Sequence, residues 1–380
     1  MEHAPCGRVI FGCGALEHSG EIARELGRRP LVVTDRGIRA VGIVDRAQRA
    51  MERAGLKVRI FDEVHENPTT VDVTQCVDAA REHGADLLVG LGGGSSMDAA
   101  KGCNFLLTNG GEMRDYLGRE KATRPMLPLL AIPTTAGTGS ECQSFALISD
   151  AETHQKMACG DKKAAARVAL LDPELTLTQP PAVTAHTAVD AVSHAVESLV
   201  TLAGTEISRA YSIGAYRLLA AGLDGVWRDA SDILARARLQ LGAALAGIAI
   251  ENSMLGAAHA AANPLTAHYG MVHGVAVGIM LPAVVRFNRD GSSEARDRYA
   301  QLRPERDLDL WLEEMLEQFA MPLSLDAEGV ERERIAEMAR EAAQQWTAQF
   351  NPAAAGEDEF AALYDEVWER REDRLRAAGS

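Results

Sequence analysis

Over the first 180 residues, short β-branched runs alternate with segments of helical period, and then the alternation stops. "RPLVVTD" (29–35) predicts a buried strand, and "GIRAVGIVDRAQRAMERAG" (37–55) a helix ending at Gly55. "KVRIFDEV" (57–64), "TVDVTQCVDAAREHG" (70–84), "ADLLVGLGGG" (85–94) and "SSMDAAKGCNFLLTN" (95–109) repeat the strand–helix order, and "PLLAIPTT" (128–135) adds a strand. Strands separated by helices pair through crossovers, so this order specifies a parallel sheet with helices on its faces. Pro180-Pro181 punctuates a turn. Beyond it, Ala- and Leu-rich helical segments follow at 184–202, 205–225, 231–262 and 273–288, then several to the end. The expectation is a parallel α/β domain over 1–180 and an all-helical domain over 181–380. The charged last stretch, "EVWERREDRLRAAGS", is expected to fray at its tip.

Composition narrows the partners. Acidic residues number 54 and basic residues 39, a formal net charge of −15. That disfavours nucleic acid and anionic membranes, which are bound by excess Lys and Arg. No basic start leads into a long apolar run, and no stretch reaches the roughly 18 apolar residues of a membrane span. "LGAALAGIAI" (241–250) is too short and reads as a buried helix. The six cysteines (6, 13, 76, 103, 142, 159) form no C-x-x-C, so neither a disulfide framework nor a thiolate metal cluster is expected, and a cytoplasmic location is the default.

Two glycine clusters compete for a phosphate. In "FGCGALEHSG", Gly12 and Gly14 form G-x-G, but Glu17 breaks G-x-G-x-x-G, and a turn in an N-terminal hairpin explains them. "LLVGLGGGSSMDAAK" (87–101) is stronger. A strand runs into Gly92-Gly93-Gly94, and a helix opens at Ser95 or Ser96, so bare backbone and free N–H groups face the same point. Asp98, three residues after Ser95, resembles a capping-box partner. "AIPTTAGTGSE" (131–141) offers further hydroxyls at Thr134, Thr135, Thr138 and Ser140. Asp35 closes the first strand; it is either a ribose acceptor or the N-cap of the next helix.

Metal-ligand types gather in the helical half. In "TAHTAVDAVSHAVES", Asp190 and His194 are four apart and share a helix face, where they either pair or hold a cation; Glu197 is placed to accept from a ligand. "HAAANPLTAHYGMVHG" (259–274) holds His259, His268 and His273, with a break read at Pro264 and Gly270. One Asp and three His from three segments would make a four-ligand site for a divalent ion, although each histidine alone is more often structural.

Taken together, "GGGSSMDAAK", "IPTTAGTGSE", "DAVSHAVES" and "GAAHAAANPLTAHYGMVHGVAVGIMLPAVVRFN" resemble the iron-containing (group III) alcohol dehydrogenase family, in its order and spacing and over most of the chain. The resemblance implies the dehydroquinate synthase-like fold of that family, a Rossmann-like nucleotide-binding domain followed by a helical metal-binding domain, with the active site between them. It implies metal ligands at Asp190, His194, His259 and His273. It places Gly93, Gly94 and Ser95 on the pyrophosphate and Asp35 by the adenosine ribose, favouring NAD. Thr134 and Thr135 would touch the cofactor, with Asn67, Asp98, Phe145, Lys156 and Leu175 around it. The implied ion is Fe2+, with Zn2+ or another divalent metal able to replace it.

The implied reaction is hydride transfer between NAD(H) and a primary alcohol or its aldehyde, in a homo-oligomer. Polyol (glycerol-type) or hydroxy-acid oxidation is an alternative on the same machinery, and a dehydroquinate synthase-like lyase is a more distant one. Three positions depart from the family: Ala188-Val189 before the first ligand, Val272 before the last, and Asn263 where many members carry a second cleft histidine. With His273 as ligand, Asn263 is expected to bond the substrate or the nicotinamide ribose, because an amide cannot titrate. Proton release then falls to water or to His268, a residue expected outside the metal shell.

Overall fold

The structure, a computed structural model, describes residues 7–153 and 155–378. Among the described residues nine strands form: β1 (Arg8–Phe11), β2 (Pro30–Val33), β3 (Arg59–Phe61), β4 (Leu87–Gly92), β5 (Gly118–Arg119), β6 (Leu129–Pro133), β7 (Phe145–Ser149), β8 (Lys156–Gly160) and β9 (Val168–Leu171). Six of them make one parallel sheet in the order β1-β9-β6-β4-β2-β3, the Rossmann-like layer expected from the alternation. Its centre is fully buried: β2, β4 and β6 show no exposed residue. The remaining strands form a small sheet, β5-β8-β7, that the sequence reading missed.

Helices α1 (Ser19–Leu26), α2 (Arg36–Ala40), α3 (Ile43–Arg53), α4 (Thr70–His83) and α5 (Gly94–Asn109) cover the large sheet. Those that follow are α6 (Pro181–Val200), α7 (Glu206–Arg228), α8 (Ile233–Glu251), α9 (Ala257–Tyr269), α10 (His273–Gly291), α11 (Ser293–Leu302), α12 (Leu308–Gln318), α13 (Ile335–Ala343) and α14 (Glu357–Ala378). They enclose a second core, in which α6 packs against α7, α8 and α10 and α9 against α10 and α13, with alanines at 188, 191, 195, 257, 258, 260, 261 and 262 among the buried residues.

The chain leaves β2 for β3 on one side and β4 for β6 on the other. The sheet therefore reverses direction between β2 and β4, and a crevice opens there beyond the strand ends. Asp35 and Gly92–Gly94 lie at that point.

Several boundaries correct the sequence reading. The helix expected over 37–55 splits at Gly42, whose φ of 79° ends α2 and starts α3. The segment 231–262 breaks at 252–256 into α8 and α9. Pro264 does not break its helix: α9 runs through it to a left-handed cap at Gly270, forgoing only the bond a Pro N–H cannot give. Gly12–Gly14 is no hairpin, because β1 pairs in parallel with β9 and Gly14 donates to Asp172. α8 has 19 residues and is, by length and composition, the one helix among the described residues able to cross a bilayer. It lies mostly buried within the helical core instead. Helix α14 continues to Ala378; the tip at 379–380 lies outside the described residues.

Candidate metal centre and anion-binding loops

The second half of α6 is buried, and Asp190, His194 and Glu197 follow one another along one of its faces. Glu197 organises the start of α9. Its Oε1 accepts from the Ala258 amide at 2.7 Å, satisfying an N–H of a helix end that has no side-chain cap. Its Oε2 accepts from His259 Nδ1 at 2.5 Å. The carboxylate thus holds the proton on Nδ1 and turns Nε2 inward as the ligating nitrogen. Gly256 permits this approach: a Cβ there would stand 2.8 Å from Asn351 Oδ1 and 3.1 Å from Glu197 Oε1. His273 is the first residue of α10, and Gly274 lets that helix end sit on the His186 carbonyl of α6.

Three imidazoles converge on one oxygen. Nε2 of His194, His259 and His273 stands 3.4, 3.6 and 3.8 Å from Asp190 Oδ1. The last two are too long for hydrogen bonds, and both Asp190 Oδ1 and His259 Nε2 are buried without a hydrogen-bond partner. Donors around one ion with bonds near 2.1 Å stand about 3.0–3.4 Å apart, so the cluster has the dimensions of a slightly expanded ligand shell. The ligating atoms of Asp190, His259 and His273 all lie within 4.8 Å of one another. His194 joins through Asp190, its ring stacked on His259 at 4.9 Å between centroids. The donor set fits a divalent ion.

The electrostatics agree with a cationic centre. Burial alone would raise Asp190, but the three imidazoles outweigh it and hold the carboxyl far below its usual range. Burial pushes His194 down to about 4, and His273, only partly exposed, is lowered by partial desolvation together with Lys156 and the neighbouring imidazoles, so both are neutral, ligand-competent imidazoles at pH 7. Burial acts the same way on His259, but Glu197 and Asp190 overcome it and raise the ring to about 9. A positive charge is favoured between these two carboxylates.

Asn263 and His268 separate cleanly from this shell. Asn263 lies one turn beyond His259, and its Nδ2 donates to Gln345 Oε1 at 3.0 Å. His268 Nε2 pairs with Glu341 at 2.8 Å, and its Nδ1 accepts from the Arg334 guanidinium at 2.9 Å. Both ring nitrogens are engaged, which corrects the idea that His268 carries the substrate proton away. A cavity of about 540 Å3, lined by Leu202, Gln345, Trp346, Asn351 and Pro352 among others, touches none of the metal ligands.

At the carboxyl end of the central strand β4, α5 starts at Gly94 with Gly93 as its N-cap and no side chain capping it. Its first N–H groups therefore point unspent from the end of β4 into the crevice. The capping box expected of Asp98 is not formed. Its Oδ1 accepts from Ser140 Oγ at 2.7 Å and lies 3.9 Å from the buried Lys101 Nζ. Lys101 in turn donates to the Ser140 carbonyl and hydroxyl, each at 2.7 Å, and to the Phe145 carbonyl at 2.9 Å. This network ties the second loop to α5. Thr138 closes over Gly94, where a Cβ would stand 2.8 Å from Thr138 Cγ2, and Thr135 Cγ2 would lie 3.5 Å from a Cβ on Gly93. Thr134 Oγ1 and Ser96 Oγ are buried without partners beside them.

The other positions singled out in the sequence fall as follows. Asp35 Oδ1 accepts from Ile38 N at 2.9 Å, so the N-cap role is real, while Oδ2 faces Gly92. Both readings of Asp35 remain compatible. Asn67 is exposed, in a left-handed conformation (φ 53°) before α4. Leu175 is a core residue under the sheet. Phe145 opens β7. Lys156 opens β8 on an exposed position, its ammonium lowered by the surrounding chain against the pull of Asp98, Asp190 and Glu66. The roles of Lys101, Arg119, Gln345 and Trp346 were missed, since each rests on long-range contacts; only Lys101, in the glycine motif three residues after Asp98, carried a local signal.

Buried Glu141, at the end of the second loop, is raised to about 7 by desolvation. A folded-state pKa above the unfolded one gives stability that is full below about pH 4.5 and lost as pH rises to about 7. Glu141→Gln is expected to remove about 3 kcal/mol of that slope. Urea unfolding of both proteins at several pH values between 5 and 8 measures it; parallel curves would refute it.

Two family models match the chain: "Iron-containing alcohol dehydrogenase" over residues 6–173, and "Fe-containing alcohol dehydrogenase family, C-terminal" over residues 184–368. The chain is 38% identical to alcohol dehydrogenase 4 of Schizosaccharomyces pombe over 76% of its own length and 68% of that protein's. It is 32% identical to the NAD-dependent methanol dehydrogenase of Bacillus methanolicus, over 93% of its own length and 96% of that protein's. A solved 1,3-propanediol oxidoreductase superposes with a TM-score of 0.92 at 31% identity, covering 97% of this chain and 99% of its own.

Proposed function

Because the chain belongs to the iron-containing alcohol dehydrogenase family, we propose that it moves a hydride between NAD(H) and a primary alcohol or its aldehyde, in the cleft between sheet and helices. Its relatives make it an alcohol/aldehyde oxidoreductase. The observation that carries the finer reading is the convergence of three imidazole nitrogens on the orphaned Asp190 Oδ1. Asp190, His194, His259 and His273 would hold Fe2+, or Zn2+ in its place, and such an ion supplies Lewis-acid polarisation of the substrate oxygen.

The rest falls to this chain's own residues. Glu197 keeps the His259 tautomer fixed. The His273 side chain is 31% exposed against 5–6% for the other three ligands, so the shell opens to substrate on its side. The uncapped start of α5, with Gly93, Gly94 and Ser95, takes the pyrophosphate. Thr134 and Thr135 would touch the cofactor, with Asn67, Asp98, Phe145, Lys156 and Leu175 around it. Asn263, held by Gln345, offers a polar amide that orients the substrate without titrating. The cofactor's hydride chemistry needs no proton from Asn263, and the alcohol proton leaves through water. The chain is taken to act as a cytoplasmic homo-oligomer, its cysteines forming no C-x-x-C.

Anaerobically purified protein, assayed for bound metal and for NADH consumption on a panel of aldehydes, tests this reading. Stoichiometric metal with NADH oxidation is expected; a protein that binds neither metal nor NADH would end it. Asp35 makes the cofactor choice separately testable. Its carboxylate accepts from a ribose hydroxyl and repels a 2′-phosphate. Asp35→Ser is expected to shift the NADH:NADPH preference in kcat/KM by about 10-fold or more towards NADPH. An unchanged ratio would confine Asp35 to capping α2.

A further inference from the structure

Arg119 ends β5 beside Gly160 of β8, and Phe145 of β7 pairs with the same glycine from the other side. Gly160 has no side chain to keep the rings apart: a Cβ there would stand 2.6 Å from Phe145 Cζ. The Phe145 ring therefore lies flat over the middle strand. The Arg119 guanidinium sits above it, 5.2 Å from its centroid and 5.8 Å from the centroid of Trp346. Its third neighbour is the Met254 sulfur, 3.8 Å from Nη2. Among the described residues Arg119 has no carboxylate partner, in a chain with 54 acidic and 39 basic residues.

Arg119 is exposed, and the neighbours of its guanidinium adjoin in sequence the segments that carry His259, Asn263 and the glycine loop. Met254 lies two residues before Gly256, the N-cap of α9 and its His259. Trp346 follows Gln345, which holds Asn263. Phe145 accepts from Lys101 through its carbonyl, and so is fixed to the glycine loop. Met254 also has φ 100°, a conformation that side chains rarely adopt. Strain of that kind persists where the surroundings over-determine it, and here it delivers the thioether to the guanidinium.

Stacking on aromatic rings engages the face of a guanidinium, and with one Nη2 N–H turned to Met254 the rest of its N–H edge stays free. That edge is a planar fork matched to two oxygens of one anion. We propose that Arg119 recognises an oxyanionic group at the far end of the substrate, so that this enzyme prefers short aldehydes or alcohols bearing a carboxylate, sulfonate or phosphonate over uncharged ones. The proposal rests on the dehydrogenase reading above.

The test uses metal-loaded enzyme and NADH with matched substrates: 4-oxobutanoate and 3-phosphonopropanal against butanal. The wild type is expected to favour the anions by at least about 10-fold in kcat/KM. Arg119→Met should lower kcat/KM for the anions by about 10- to 100-fold, mainly through KM, and change butanal by less than about 3-fold. Arg119→Lys should recover part of the loss, and the better of the two anions identifies the oxyanion. Equal losses on all three aldehydes would reduce Arg119 to a staple between sheet and helices and overturn the proposal, while leaving the dehydrogenase reading intact. A wild type that favours butanal would overturn it as well. Absence of turnover on every aldehyde, with metal and NADH bound, would overturn both.

Discussion

Replacing Asp190 with Asn is expected to empty the metal centre. Its Oδ1 is the common neighbour of His194, His259 and His273 and the formal negative charge they surround. An amide oxygen keeps the shape and loses that charge, and the helix face is so buried that no other carboxylate can take its place. Bound metal in Asp190→Asn should fall from about one ion per chain to a small fraction, with turnover falling alongside. The loss should exceed that of Glu197→Gln, which removes an outer carboxylate and is expected to cost about 10- to 100-fold in metal affinity or activity. Adding Fe2+ or Zn2+ to stripped wild-type protein should raise its melting temperature, because the ion binds only the folded chain, and should leave Asp190→Asn unmoved. Full metal occupancy in Asp190→Asn would show that the ion, if any, sits elsewhere.

The parts of this site legible in the sequence are those fixed by local geometry. The Gly92–Ser96 run announces a strand passing into a bare helix start, and the structure leaves that start uncapped. The spacing of Asp190, His194 and Glu197 determines a shared face before any tertiary contact is known. His259 and His273 were different. Nothing local distinguishes them from His268, and only the resemblance to a family separated the three; the structure then brings two of them to Asp190 and sends the third to Glu341 and Arg334. Asp98 shows the opposite failure. Its position three residues after Ser95 fits a capping box, yet a long-range hydroxyl, Ser140, competes successfully for the carboxylate. The strands β1 and β7–β9 went unseen because each is specified by its partners rather than by a pattern of its own. Arg119 and Trp346 meet across 227 positions, a distance over which no periodicity carries information.

The same long-range network sets the second large effect. Lys101 is wholly buried, and its three hydrogen bonds fasten Ser140 and Phe145, hence both ends of the segment that follows the second loop, to α5. Burial pulls its pKa down and raises that of Asp98, so each ion depends on the other and on Ser140 to remain charged inside the protein. Lys101→Met keeps the volume of the stem but leaves the Asp98 carboxylate without its counter-charge and three oxygens without their donor. The expected loss of stability is about 3–5 kcal/mol, the usual range for stranding one member of a buried pair. Loosening Ser140 also frees the loop that closes over Gly94, so NADH affinity should fall by about 10-fold in whatever folded protein remains. Asp98→Asn combined with Lys101→Met should restore part of the stability, because the stranded charge is gone, but little of the NADH affinity, because Ser140 is still unfastened. Urea unfolding and NADH fluorescence titration of the wild type and the two variants separate these terms. A Lys101→Met protein within about 1 kcal/mol of wild type, with unchanged NADH binding, would mean that the loop is held by its packing on α6 and α8 alone.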